Sequence, residues 1–166
     1  EGRIRSDSAD EVITERTKIV AVTHVGNTTG AITDIAPIIR RAHEVGAAFI
    51  LDACQSVPHL KVDFHALDVD FAAWSAHKMY GPTGVGFLYG KRDMLEALPP
   101  ANFGGSMVEL ARMDQEARYM EPPARFEAGT QPVAQVVAAG VAADWLMSIG
   151  MENLEAHERT ITDELL

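Results

Sequence analysis

Apolar and β-branched residues run almost unbroken from Lys18 to Val25, a pattern that predicts a buried strand. From Asp34 to Val45 the spacing becomes helical. Ile35, Ile38, Ile39, Ala42 and Val45 share one face, Pro37 sits in the first turn where its missing N–H is tolerated, and Gly46 is placed to end the helix. Ala47 to Leu51 returns to a strand pattern, so Lys18 to Leu51 predicts a βαβ unit with parallel strands. Val69 to Trp74 and Val85 to Tyr89 predict two more strands, with Phe64 to Leu67 as one helical turn before the first of them.

The flanks are less regular. Ser8-Ala9-Asp10-Glu11 has capping-box spacing and predicts a short helix to about Arg16. Asp93 to Leu98 predicts a short helix ended by Pro99-Pro100, while Ala101 to Arg125 has no clear period and predicts a long excursion with some hairpin content. Pro132 to Ile149, rich in Ala and Val and followed by Gly150, predicts a long helix. A more polar helix follows over Glu152 to Leu166. No internal repeat or low-complexity tract is present, and the order of elements gives an α/β class with a mostly parallel sheet.

Composition narrows the function only by exclusion. At 166 residues and 47% hydrophobic, the chain can bury one core and form one domain or most of one. A formal charge of −10 argues against broad nucleic-acid binding. No apolar run approaches the roughly 18 residues of a membrane span, and the polar, charged start is unlike a secretory signal. The single cysteine, Cys54, excludes an intrachain disulfide and suits a reducing, cytoplasmic compartment. A chain that begins in polar residues without Met is expected to be a piece of something longer.

The chemistry lies where the strands end. Ligands of such sheets sit outside the carboxyl ends of the strands, and there the sequence places His24 and Asn27, then Asp52 and Gln55, then Ser75, His77 and Lys78. An acid after one strand and a lysine after the next suit pyridoxal phosphate (PLP), whose aldehyde is held by an amine and whose pyridine nitrogen is kept protonated by a carboxylate. Alternation along a strand points Asp52 and Cys54 the same way, which lays Cys54 against the face of a ring that Asp52 reaches. Ser75 and His77 stand in the same relation and suit a phosphate.

Thr23-His24-Val25-x-Asn27, Asp52-Ala-Cys-Gln-Ser-Val-Pro-His59, Ser75-Ala-His-Lys-Met-Tyr-Gly-Pro-Thr-Gly84 and Arg125-Phe-Glu-Ala-Gly-Thr130 closely resemble the Suf-type (group II) cysteine desulfurases of the class V aminotransferase superfamily. The resemblance runs from about Lys18 to the end. It implies the incomplete large domain of a three-layer αβα PLP-dependent transferase of fold type I, with residues 1–150 as its central part and residues 151–166 starting a helix toward a small domain. It implies Lys78 as the catalytic, cofactor-linked lysine and Asp52 on the pyridine nitrogen. Gln55 falls on the phenolic oxygen, Ser75 and His77 on the phosphate, Cys54 under the ring and Asn27 near the substrate carboxylate. Thr130 corresponds to a threonine donated to the partner subunit's phosphate in a homodimer.

Two positions depart from the pattern: Gly26 stands where a serine is expected, and Cys54 where alanine is common. The resemblance also places the phosphate-cradling glycine/threonine loop and the ring-stacking histidine upstream of this chain. It places the substrate-binding arginine and the nucleophilic cysteine downstream. The expected function is conversion of L-cysteine to L-alanine, leaving persulfide sulfur for a sulfur-acceptor protein of iron–sulfur cluster assembly. Selenocysteine lyase or a related class V lyase, and a non-catalytic fragment, remain open alternatives.

Taken singly, these residues are ordinary. A lysine after a strand is usually a surface residue and an aspartate there a turn residue; only their register gives them a role. His24 fits a supporting imidazole better than a catalytic one. His43, His59, His65 and His157 lack metal-ligand spacing, so no metal is expected. Cys54 fits a small buried hydrophobe. Gly81-Pro82-Thr83-Gly84-Val85-Gly86 lacks the Walker lysine and a following helix, which excludes a nucleotide loop. Asp114, Glu116 and Glu121 read as a solvated face.

Overall fold

A computed structural model describes residues 2–165. They fall into two units, one taking in the chain up to Tyr89 together with the segment from Ala134 onward, the other Gly90–Val133.

The first unit is built on a four-stranded sheet in the order β1 (Ile19–Thr23), β2 (Ala48–Asp52), β3 (Phe71–Ser75) and β4 (Gly86–Gly90). β1, β2 and β3 are parallel, in the register Thr23↔Asp52 and Asp52↔Ala73. The Ala76 N–H donates to Val85 O at 3.2 Å, and the rings of Trp74 and Phe87 stack at 5.5 Å. β4 therefore turns back beside β3 and makes the sheet mixed. The βαβ unit is present, with α2 (Ala36–Glu44) as its crossover and Gly46, at φ +72°, ending that helix.

Alternation decides what each strand buries. Phe49, Leu51 and Ala72 are fully buried with Ile38, Ile39 and Ala42 of α2 in one hydrophobic cluster, which Ala9 and Ile13 extend. The intervening residues form the opposite face. There Ile19 and Leu88 are each 61% exposed, and Ala21 and Ala73 are exposed as well. The expectation that β1 is a buried strand thus fails for one of its faces. Its β-branched run marks a strand, but among the described residues none buries Ile19 or Ala21 on that side.

The N-terminal helix is shorter than expected. A 3-10 turn, Ser6–Ser8, leads into a single turn of helix, α1 (Ala9–Val12). The Ser8 hydroxyl donates back to Arg5 O at 2.8 Å and does not cap. Ile13 is extended and buried, and the Thr14 N–H donates to Thr17 Oγ1, so the β-branched run Val12-Ile13-Thr14 leaves the helix for a turn.

In the second unit, α3 (Arg92–Ala97) precedes a hairpin of β5 (Val108–Arg112) and β6 (Gln115–Tyr119), the hairpin content expected of the aperiodic stretch. The chain then returns in α4 (Val133–Ile149) and α5 (Met151–Leu165); the expected end of α5 at Leu166 lies outside the described residues. α4 is apolar on every side, yet Val133, Val137 and Val141, four residues apart along one stripe, are 64%, 64% and 65% exposed. Among the described residues no single helix is long and apolar enough to cross a membrane.

Phe49 is the largest fully buried side chain among the described residues, in the strand that carries Asp52. Phe49→Ala in the full-length protein is expected to cost about 3–5 kcal/mol in urea denaturation. A loss below about 1 kcal/mol would mean that the α2 layer is not the core that holds β2.

Candidate functional site

Paired residues of adjacent parallel strands project to the same face, so Thr23, Asp52 and Ala73 form a row, and period two adds Ser75 to that side. Leu51, one residue before Asp52, is fully buried on the α2 side. Asp52 consequently stands on the open face, at the carboxyl edge of the sheet. Its Oδ1 accepts the Cys54 N–H at 3.0 Å, which orients the carboxylate and leaves Oδ2 without a hydrogen-bond partner among the described residues. Cys54 Sγ lies 3.8 Å from Ser75 Oγ and 4.0 Å from Ala73 O, so the thiol bridges the ends of β2 and β3. The Gln55 amide donates to Asn27 Oδ1, tying the loop after β1 to the loop after β2.

β3 runs from Ser75 directly into one 3-10 turn, Ala76–Lys78. With three residues per turn, position 78 returns to the side on which Ser75 stands. Ala76 and Met79 are buried and anchor the turn, His77 is exposed and Lys78 half-buried. The Ala76 carbonyl accepts the N–H groups of both Met79 and Gly81 at 2.9 Å. A Cβ on Gly81 would lie 2.9 Å from that same oxygen, so the close approach demands glycine.

His24 closes the other flank. Its N–H donates to Asp52 O at 3.0 Å and its carbonyl accepts the Thr33 N–H at 2.8 Å, while the Thr33 hydroxyl donates to Thr23 O. The imidazole is only 9% exposed, and Nδ1 is buried without a hydrogen-bond partner. Burial penalises the charged ring and holds its pKa below the ordinary 6.5. The ring expected to be half-buried and hydrogen-bonded is instead buried, with Nδ1 unpartnered among the described residues.

Two concavities open here. One of about 370 Å³ is bordered by Thr23, Asn27, Thr33 and Asp52. The other, about 430 Å³, is bordered by Asn27, Gln55 and His59 with Glu158 and Arg159 of α5. His59 Nδ1 lies 2.7 Å from Glu158 Oε1, and Lys61 Nζ 2.6 Å from Glu152 Oε1, so α5 is fastened to the loop that follows Asp52. His43 bridges Asp70 at 2.9 Å and Asp68 at 3.3 Å, at the other end of the sheet. Both histidines have the structural roles expected of them.

Of the sequence-predicted site residues, Asn27, Asp52, Cys54, Gln55, Ser75, His77 and Lys78 all lie along this edge of one unit. Thr130 is exposed and belongs to Gly90–Val133. Tyr80 was not singled out by the sequence. It holds φ +63°, a left-handed conformation unusual for a bulky residue, and its ring meets Trp145 of α4 edge-on, the centroids 5.1 Å apart. No periodicity or motif signals that contact.

The carboxyl edge of this α/β sheet thus gathers an acid, a thiol, a hydroxyl, an amide and an amine, the place where ligands of such sheets bind. The aminotransferase class-V model matches residues 1–166, and the chain belongs to that family. It is 50% identical over 161 residues to a probable cysteine desulfurase 2 of Mycobacterium leprae, covering 97% of this chain and 38% of the relative. It is 43% identical over 158 residues to the cysteine desulfurase of Dickeya dadantii, covering 95% and 38%. The apo structure of cysteine desulfurase from Thermococcus onnurineus superposes with a TM-score of 0.92 at 33% identity, over 99% of this chain and 41% of that one. The crystal structure of the Escherichia coli cysteine desulfurase CsdA (S-sulfonic acid) gives 0.86 at 39% identity, over 89% and 37%. The chain thus spans about two-fifths of the length of the relatives it matches, and the fold is an incomplete α/β domain of the class V kind.

The depressed pKa of His24 sets a pH dependence. Above about 6.5 the ring is neutral folded or unfolded; below it the unfolded chain takes up the proton first, so stability falls as pH drops toward the folded value. Replacing His24 by Gln is expected to flatten the decline in stability of the full-length protein between about pH 6.5 and 5. Parallel pH–stability curves for His24→Gln and wild type in urea denaturation would contradict it.

Proposed function

We propose that the full-length protein carrying this chain is a PLP-dependent cysteine desulfurase of the Suf-type branch. It would convert L-cysteine to L-alanine and leave persulfide sulfur on a cysteine of the polypeptide beyond this chain. The observation that carries the reading is the row Asp52–Ala73–Ser75 on one sheet face, with Lys78 one 3-10 turn beyond it. The similarity to cysteine desulfurases over nearly the whole chain supports it.

The residues present fit the cofactor. When bound, PLP supplies an electron-accepting pyridine ring and an aldehyde that condenses with amines. Asp52, its Oδ2 unengaged, would hold a proton at the ring nitrogen. Lys78 Nζ would hold the aldehyde end and, once displaced by the substrate amine, take up and return the substrate proton. Ser75 and His77 would bind the phosphate, Gln55 would meet the phenolic oxygen and Cys54 would pack under the ring. Asn27, fixed by Gln55, would orient the substrate carboxylate. Cys54, in contact with the strand ends, would not be the sulfur-accepting cysteine.

We extend the proposal to a homodimer in which Thr130 reaches the partner's phosphate, to a sulfur-acceptor protein of iron–sulfur cluster assembly and to a cytoplasmic location. The bare sheet face and the apolar, exposed stripe of α4 would be covered by the remaining polypeptide and the second subunit. Residues 1–150 would then belong to the large domain and residues 151–166 to the helix leading out of it.

Borohydride reduction of the full-length protein loaded with PLP is expected to fix the cofactor on the peptide containing Lys78. Lys78→Ala should show neither that label nor the visible absorption of lysine-bound cofactor, and Asp52→Asn should keep the label but lose roughly a hundredfold or more in kcat. Label on another lysine, or desulfurase turnover by Lys78→Ala, would refute the assignment. The 166-residue chain alone, given PLP, L-cysteine and a reductant, is expected to release no sulfide.

A further inference from the structure

Lys78 is followed by a segment under conformational strain. Met79 is buried, and Gly81 must close onto the Ala76 carbonyl at 2.9 Å. Tyr80, between them, is forced to φ +63°. A residue with a Cβ resists that region, and glycine is the residue that adopts it freely. Strain of this kind persists only where surrounding contacts over-determine it, and it gathers at functional positions.

The contact that holds it is visible. Tyr80 is 60% exposed and Trp145 50%, so neither ring is driven inward by the core. Their rings nevertheless meet edge to face, at 5.1 Å and 71°, the favoured geometry of an aromatic pair. The pair ties the turn that bears Lys78 to α4, a helix distant in sequence. The tyrosine hydroxyl has no hydrogen bond among the described residues, so the ring and not the phenol makes the link.

We propose that Tyr80 is a positioning residue: clamped left-handed against Trp145, its ring fixes the direction in which Lys78 is presented at the site. The proposal rests on the assignment of Lys78 as the cofactor-linked amine. Tyr80 does not touch the reacting atoms; it acts by denying the 76–81 turn the freedom that glycine at position 80 would restore. Trp145 is its counterpart, and loss of either partner frees the same turn.

The full-length protein is the object of the test, as Tyr80→Phe, Tyr80→Gly, Trp145→Ala and the double variant Tyr80→Gly/Trp145→Ala. In cofactor-free protein, Lys78 labelling by an amine-reactive reagent, read by peptide mapping, should change in Tyr80→Gly and Trp145→Ala and stay at the wild-type rate in Tyr80→Phe. In loaded protein the first two should lose about tenfold in kcat with KM within about twofold, and Tyr80→Phe should keep the rate. The pH midpoint of the visible band of lysine-bound cofactor should move in the same two variants. The double variant should be no worse than the worse single one, as a shared contact requires.

Glycine relieves the left-handed conformation but loses the ring pair and frees the unfolded chain, so Tyr80→Gly should still unfold in one cooperative transition within about 5 °C of wild type, which separates positioning from loss of structure. Unchanged labelling, pH midpoint and kcat in Tyr80→Gly and Trp145→Ala would overturn the proposal, as would a Tyr80→Phe variant as impaired as either. Borohydride label missing from Lys78 in the wild type would instead strike at the cofactor assignment, so the two failures are distinguishable.

Discussion

The register that sets Thr23, Asp52 and Ala73 side by side decides which face of the sheet carries the candidate site. In a strand the side-chain period is two, so a slip of one residue between β2 and its neighbours would bring Leu51 to the bare face and carry Asp52 into the α2 core. Phe49 and Leu51, both fully buried, make that slip costly, because each would leave the core for solvent. The hydrophobic residues of β2 thereby aim a carboxylate they never touch. The same constraint places Cys54 between the strand ends and Ser75 within 3.8 Å of it.

The βαβ core was legible because its pattern is redundant. Five apolar positions at helical spacing, a proline in the first turn and a terminal glycine all specify α2, and its observed span, Ala36–Glu44, lies inside the expected one. The placement of the candidate site residues at one edge was legible because strand ends are short and the residues after them have few places to go. The first helix failed where local signals conflicted: capping-box spacing argued for continuation, but Val12, Ile13 and Thr14 favour extended backbone, and Ile13 gains more by burial than by helix. The openness of one sheet face was not legible, since β-branched residues on both faces of β1 mark a strand without saying what covers it. Nor was the Tyr80–Trp145 contact, which joins segments distant in sequence and obeys no period.

The bare face is itself informative. Parallel sheets are stable when helices cover both sides, and among the described residues only the α2 side is filled, while Ile19, Ala21, Ala73 and Leu88 face outward. The edge that carries the candidate site is on this uncovered side, because Asp52 alternates with Leu51. A site on that face gains a dry, low-dielectric environment only when another layer closes over it, and it is there that a carboxylate–ring contact becomes strong. Geometry and environment are therefore separable in this fold: the strands of this chain set the first, and whatever covers Ile19 and Leu88 sets the second.

That separation explains why the turn after β3 carries strain. In the proposed site an amine would reach a ring from the end of a strand, and the chain must then reverse at once to form β4, with Ala76 bonded to Val85. A turn so short, doubly hydrogen-bonded to one carbonyl and closed by a glycine that no other residue can replace, leaves little freedom between Lys78 and Gly81. A flexible residue at position 80 would satisfy the reversal at lower conformational cost, yet tyrosine stands there, held by a ring on a distant helix. The reversal alone does not require that ring; presenting Lys78 in one direction would, and entropy removed from the turn in advance would then not have to be removed when a cofactor binds.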